Sequence, residues 1–176
     1  MKPILLQPGI NNSGPEHWQS IWEWKHEHVT RIPQDDWDNP ECISWVNRIE
    51  ETVQKCSEPP VIVAHSLGCL ALAKWAAQTS LPVRALMFVA LPDAGGPSFP
   101  KEAIGFDCLP LTLGGARSLV VYSDNDPYWH PALTRNAAQA WRSDSIGVGS
   151  KGHINSSSGL GDWPLGWQLV QNLVDG

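Results

Sequence analysis

The chain has 176 residues, a length that suits one domain, residues 1–176, around one sizeable core. Its net charge of −6 carries no basic footprint for nucleic acid, and no polybasic run suggests a membrane surface. The longest apolar runs are strand-length, short of the roughly 20 residues that span a bilayer. Met1-Lys2-Pro3 leads straight into a strand, so a secretory signal peptide is not expected and a reducing, cytoplasmic setting is.

Ile4-Leu5-Leu6-Gln7 reads as a first strand, and Pro8 to Gly14 as a loop by composition. Ser13 with Glu16 fits a capping box with Pro15 in the first turn, followed by a helix carrying Trp18, Ile21 and Trp22. His28 to Ile32 alternates and reads as an edge strand. After a polar loop, Asp38 or Asn39 is placed to cap a helix whose stripe is Cys42, Trp45, Val46, Ile49 and Val53.

Val61-Ile62-Val63-Ala64 is an apolar, β-branched run that ends in His65-Ser66-Leu67-Gly68 and passes at once into an Ala- and Leu-rich helix reaching about Thr79. This reads as a buried parallel strand, a sharp turn and a helix. Ala85 to Leu91 is another continuous strand. Pro92 to Arg117, rich in Gly and Pro, is long for a plain connection and is expected to form a short flap beside a cleft, with Phe99 and Phe106 as apolar wall. Ser118 to Ser123 is a strand running into Asp124-Asn125-Asp126-Pro127. A helix over Pro131 to Trp141 carries Leu133, Ala137 and Trp141. Ser145 to Val148 is a last strand. A final helix from near Pro164 aligns Trp163, Trp167, Val170 and Val174. Alternating strands and helices imply a parallel sheet with helices on both faces.

In such a sheet, ligands bind at the carboxyl ends of the strands. Ser66, Asp126 and His153 all fall there. A serine hydroxyl is a weak nucleophile until a base takes its proton. His153 can serve as that base, and it needs a carboxylate to fix its tautomer. Asp126 is the choice, because Asp-Pro after a strand end fixes a turn; Asp124 is its rival. Ala64-His65-Ser66-Leu67-Gly68 nearly matches the elbow pattern G-x-S-x-G, and Ser, Asp, His is the chain order of α/β-hydrolases. An oxyanion would need fixed donors: Leu67 N–H, and from the first loop Ile10 N–H, with Asn11 second to it. Asn11, Trp18 and Trp129 lie close in sequence to these loops and are candidates to touch substrate. His65 reads as a packing residue and Cys69 as a small buried apolar group. Cys42, Cys56, Cys69 and Cys108 make no C-x-x-C pair and are expected as free thiols. His17, His26, His28 and His130 show no paired spacing, so neither a metal nor a cofactor is expected.

These residues resemble the small serine hydrolase family of the retinoblastoma-binding protein 9 and YdeN type. The resemblance runs from Ile4 to the last helix. It rests on Pro8-Gly9 with Gly14 and His17-Trp18, Asp36-Trp37 with Pro40 and Trp45, the elbow, Ser123 to Pro127, and Gly152-His153. It places the family's nucleophile on Ser66, its acid on Asp126 and its base on His153. Ala64 stands where the elbow usually has Gly, and Asn125 where some relatives carry Asp. The family implies a compact α/β-hydrolase with a six-stranded, mostly parallel sheet and no large lid domain. It also implies hydrolysis of small ester or amide bonds, so the expected partner is a small-molecule acyl substrate. Two other readings stand beside hydrolysis: a binding module that keeps the fold with little turnover, and acyl transfer to an acceptor other than water.

Overall fold

The computed structural model of the protein describes residues 2–129 and 131–176; His130 lies outside them. Its six strands are β1 (Ile4–Gln7), β2 (Val29–Arg31), β3 (Val61–His65), β4 (Ala85–Val89), β5 (Ser118–Tyr122) and β6 (Asp144–Gly147). They form one sheet in the order β2-β1-β3-β4-β5-β6, and every neighbouring pair is parallel. Parallel neighbours require crossovers, and four of the five connections supply a helix. These are α1 (Trp18–Lys25), α2 (Cys42–Gln54), α3 (Leu67–Gln78) and α4 (Pro131–Trp141); α5 (Pro164–Asp175) follows β6.

Side chains alternate along each strand and so feed two cores. Leu5, Ile62, Ala64, Phe88 and Val120 pack with α2, α3 and α4. Ile4, Leu6, Val63, Met87 and Val121 pack with α1 and α5 on the other face. Helix α3 carries buried residues all round, as a helix clamped between sheet and neighbours must. On the α1–α5 face Trp18 meets Trp22 and Trp163 at ring separations of 4.5 and 5.0 Å. Edge strand β2 exposes Thr30, and edge strand β6 is polar, which suits strands with one unpaired side.

Several local expectations need correction. Helix α1 begins later than the Ser13 capping box allows. Pro15 and Glu16 form a turn, and His17 Nδ1 accepts the N–H of Gln19 as the cap, while Ser13 Oγ donates to Gln19 Oε1. Helix α2 is preceded by Glu41, which makes no side-chain cap; Asp36 instead accepts the N–H groups of Asp38 and Asn39 in the loop. Along α4 the buried positions are Thr134, Ala138 and Trp141, so the inner face is turned by one residue and Leu133 is partly exposed. Along α5 they are Gly166, Leu169, Val170 and Leu173, because Trp163 precedes the helix and occupies the space beside Gly166.

The β4–β5 connection has no helix, and it divides into two parts. From Ile104 onward it is tied to the core. Cys42 N–H donates to Ile104 C=O, Lys74 reaches Gly105 C=O, and Trp141 Nε1 donates to Pro110 C=O. Phe106 is 1 % exposed and packs edge-on against Trp45 at 5.6 Å, so it is a core residue and no cleft wall. The stretch from Pro92 to Pro100 borders a large cavity at the carboxyl ends of the strands, while Leu113 to Ala116 border a separate, smaller one beside Trp75 and Thr79.

Candidate active site

Ser66 sits at the junction of β3 and α3 with φ 53° and ψ −128°, a conformation that L-residues adopt only under constraint. The constraint is close packing. A Cβ on Gly68 would lie 2.4 Å from Pro8 O and 2.6 Å from Gln7 O, so only glycine lets α3 start against the end of β1. The methyl of Ala64 is tolerated because it points into the α2–α3 core, away from that contact.

Strands β1 and β3 end level, with Gln7 paired to Ala64, so the loop after β1 meets the turn after β3. A Cβ on Gly9 would stand 2.9 Å from Ser66 Cβ and 3.4 Å from Leu67 N. Asn11 N–H is taken by Trp37 C=O at 2.8 Å. Ile10 and Leu67 line the cavity beside Ser66. Arg31 on β2 locks this loop: its guanidinium donates to Asn12 Oδ1, Ser13 C=O and Ser20 Oγ and pairs with Glu23.

Ser66, Asp126 and His153 come together. His153 Nε2 lies 2.7 Å from Ser66 Oγ. His153 Nδ1 lies 2.9 Å from both oxygens of Asp126, whose side chain is 3 % exposed. The carboxylate can only accept, so Nδ1 carries the proton and Nε2 is the acceptor for the Ser66 hydroxyl. Asp124 is exposed and makes no bond to His153, so the rival carboxylate is not brought in.

Residues that the sequence did not single out for this task hold the two loops in register. Asn125 Oδ1 accepts from Ser123 Oγ and from Gly152 N–H, joining the loop after β5 to the loop before His153. Tyr128 N–H donates to Asp126 Oδ1. His65 packs as expected and also has Nε2 2.9 Å from the carbonyl oxygen of His153, to which it donates. Trp18 does not line the cleft. It is 1 % exposed, lies in the α1–α5 core, and its indole N–H donates to Ile154 C=O at 2.8 Å, supporting the His153 loop from beneath. The local signal was the pair His17-Trp18, but its partner is 136 residues away.

A cavity of about 740 Å³ opens over Ser66. Asn11 and Trp129 line it, and the Trp129 indole N–H is buried with no partner among the described residues. Its apolar wall comes from Pro92, Pro97, Phe99, Pro100 and Leu133, with Phe99 and Trp129 resting on the α2–α3 core. Its polar wall comes from Asn11, Asn12, His17, Asn155, Ser156 and Ser157. No lysine or arginine is among its lining residues.

Burial, with repulsion from Arg31 and His153 added, holds His17 down to about 4. Burial, with His17 and His153 adding to it, holds His65 well below the usual histidine value. Both imidazoles are therefore neutral at physiological pH. Burial pushes the Cys69 thiol up, and its Sγ donates to Val89 C=O, so it is unreactive packing beneath the turn. All four cysteines are free thiols. Among the described residues no group of three or more His, Cys, Asp or Glu is placed to hold a metal ion, and no helix is long and apolar enough to cross a membrane.

The family described as serine hydrolase matches residues 4–172. A YdeN-like hydrolase of Pectobacterium atrosepticum superposes with a TM-score of 0.88 at 29 % identity, over 99 % of this chain and 91 % of that one. The ydeN gene product of B. subtilis superposes with a TM-score of 0.84 at 17 % identity over 100 % of both chains. Est1E of Butyrivibrio proteoclasticus, solved with ferulic acid bound, reaches 0.70 at 11 % identity over 100 % of this chain and 90 % of that one. The last two likenesses are of fold alone. No curated protein matches the sequence.

Proposed function

The chain belongs to the serine hydrolase family, and on that premise we propose that it cleaves small, uncharged carboxylic esters through an acyl-enzyme on Ser66. One observation carries the reading: the unbroken run of hydrogen bonds from Asp126 through His153 to Ser66 at the floor of the cavity.

Ser66 Oγ attacks the ester carbonyl carbon as His153 Nε2 takes its proton. Asp126 keeps Nδ1 protonated and offsets the imidazolium charge. The carbonyl oxygen becomes an oxyanion facing the N–H groups of Ile10 and Leu67. The tetrahedral species collapses, the alcohol leaves with the proton from His153, and Ser66 is acylated. Water then attacks, His153 accepts its proton and returns one to Ser66, and the carboxylic acid departs. The strained backbone of Ser66 keeps the hydroxyl raised toward the substrate throughout.

The cavity supports an acyl group of modest size. Its volume is in the range of small-ligand sites, and its apolar wall suits an alkyl or aryl chain. The carboxylates of Asp93 and Asp126, with no lysine or arginine lining, disfavour an anionic substrate.

A fluorophosphonate probe tests the reading. It is expected to label the native protein and not Ser66→Ala, and p-nitrophenyl esters of graded chain length should be hydrolysed by the native protein alone. Labelling that persists in Ser66→Ala overturns the nucleophile. No labelling together with no ester turnover favours a binding module.

A further inference from the structure

Tyr128 follows the Asp126-Pro127 turn and touches both the acid and the base. Its N–H donates to Asp126 Oδ1 at 2.9 Å, and that same oxygen lies 2.9 Å from His153 Nδ1. Its C=O accepts the N–H of Asp93 at 3.0 Å, near the start of the stretch that borders the cavity. Both main-chain groups are therefore bonded, and the residue is pinned beside the triad. Its ring meets the His153 imidazole at a centroid separation of 4.6 Å and an interplanar angle of 63°. That is the edge-to-face arrangement that aromatic pairs prefer.

The imidazole needs such a support. In the resting site its nitrogens are held by Asp126 and by Ser66 Oγ. Once Nε2 has taken the Ser66 proton, it must let go of Oγ and face the departing oxygen, and later a water. Through that exchange the partner of Nε2 changes while the bond to Asp126 stays. A ring anchored at one end beside a cavity of about 740 Å³ has room to tilt. Neighbouring rings limit the tilt. His65 is one, at 5.1 Å, and its Nε2 ties it to the His153 main chain. Tyr128 is closer and comes from a different loop. It lines the cavity and is 43 % exposed, so filling the core does not account for an aromatic residue there.

We propose that Tyr128 is a positioning residue for the general base, its ring holding the His153 imidazole in line between Asp126 and Ser66 while the proton passes from nucleophile to leaving group. The inference rests on the reading of Ser66 as nucleophile and His153 as its base. The ring carries the role and the hydroxyl does not, because the contact is between rings. A small misplacement of a proton-transfer group slows the chemical steps and leaves substrate binding intact. Acylation and deacylation are both affected, since His153 accepts a proton in each.

The test measures kcat and KM for p-nitrophenyl acetate and p-nitrophenyl butyrate in the native protein, Tyr128→Ala and Tyr128→Phe. Tyr128→Ala is expected to lower kcat by about tenfold for both esters with KM changed by less than about twofold. Its fluorophosphonate labelling should slow in parallel, while its urea midpoint stays at the native value. Tyr128→Phe keeps the ring and is expected to restore kcat to within about twofold of native. A native kcat in Tyr128→Ala, or a loss confined to KM or to one ester, makes Tyr128 cavity wall only and overturns the assignment while hydrolysis stands. A Tyr128→Phe as slow as Tyr128→Ala overturns it too, since the hydroxyl would then be the group that matters. Should Tyr128→Ala not fold, Tyr128→Leu, which keeps apolar bulk without a ring, is read by the same criteria. If the native protein turns over neither ester and Ser66 takes no fluorophosphonate, the parent reading fails and this one with it.

Discussion

Acidification from pH 7.5 to 5.0 is expected to weaken folding by about 2 kcal/mol through His17, with His65 adding to the loss in the same direction. Both are buried and held below the unfolded value of 6.5, His17 at about 4 and His65 lower than its ordinary range by burial. Above pH 6.5 each is neutral in both states and contributes nothing to the pH dependence. Below it, the unfolded chain binds a proton that the folded chain refuses, so stability falls with pH until the folded value is reached. A group whose folded value lies below 5.0, as that of His17 does, costs about 1.4 kcal/mol per pH unit, hence about 2 kcal/mol over the roughly 1.5 units from 6.5 to 5.0. The lowered carboxylates Asp35, Asp36, Asp107 and Asp162 start from 3.8, below this window, and do not share in the loss. Urea unfolding at the two pH values measures the effect. His17→Asn, which cannot titrate, should remove about 2 kcal/mol of the loss and leave the part due to His65. A native loss below about 1 kcal/mol, or a variant that loses as much as the native protein, would refute the assignment of neutral buried imidazoles.

Three further outcomes follow from the contacts described. Trp18→Phe keeps an aromatic ring but orphans Ile154 C=O; it should cost about 2 kcal/mol, lower Tm by roughly 4–8 °C, and reduce kcat more than it raises KM. Asn125→Ala removes the acceptor shared by Ser123 Oγ and Gly152 N–H; esterase assays should show kcat down by about tenfold or more, through a misplaced His153, with fluorophosphonate labelling slowed in parallel. Phe106→Ala opens a void against Trp45 and should cost about 3–5 kcal/mol in urea unfolding, whereas a cleft-wall residue would leave stability nearly untouched and alter chain-length selectivity.

The strands and their order of alternation with helices were legible because buried parallel strands are apolar on both faces. Val61–His65 and Ala85–Val89 are such runs, and both are fully buried. The positions of Ser66, Asp126 and His153 were legible for a related reason: each follows a strand, and strand ends in one parallel sheet share an edge. The supports of those loops were not. Trp18 to Ile154, His65 to His153 and Asn125 to Gly152 each link segments far apart in the chain, and no periodicity records such a pairing. The stretch from Pro92 to Arg117 misled in a different way. Its Gly and Pro content announces irregular backbone, yet irregular backbone is still tied to the core where Phe106 and Leu113 are buried. His17 as a cap was likewise hidden, since imidazole is an uncommon choice for that position.

The division of the β4–β5 connection has a bearing on how this scaffold can be altered. Phe106 and Leu113 pin its second half to the core, while Pro92–Pro100 borders the cavity and meets the core through Ala94 and Phe99. An insertion there would change what enters the cleft without asking the sheet, the elbow or the histidine loop to refit. Lids of different length grafted at this single seam offer a route to new substrate preferences on an otherwise constant scaffold.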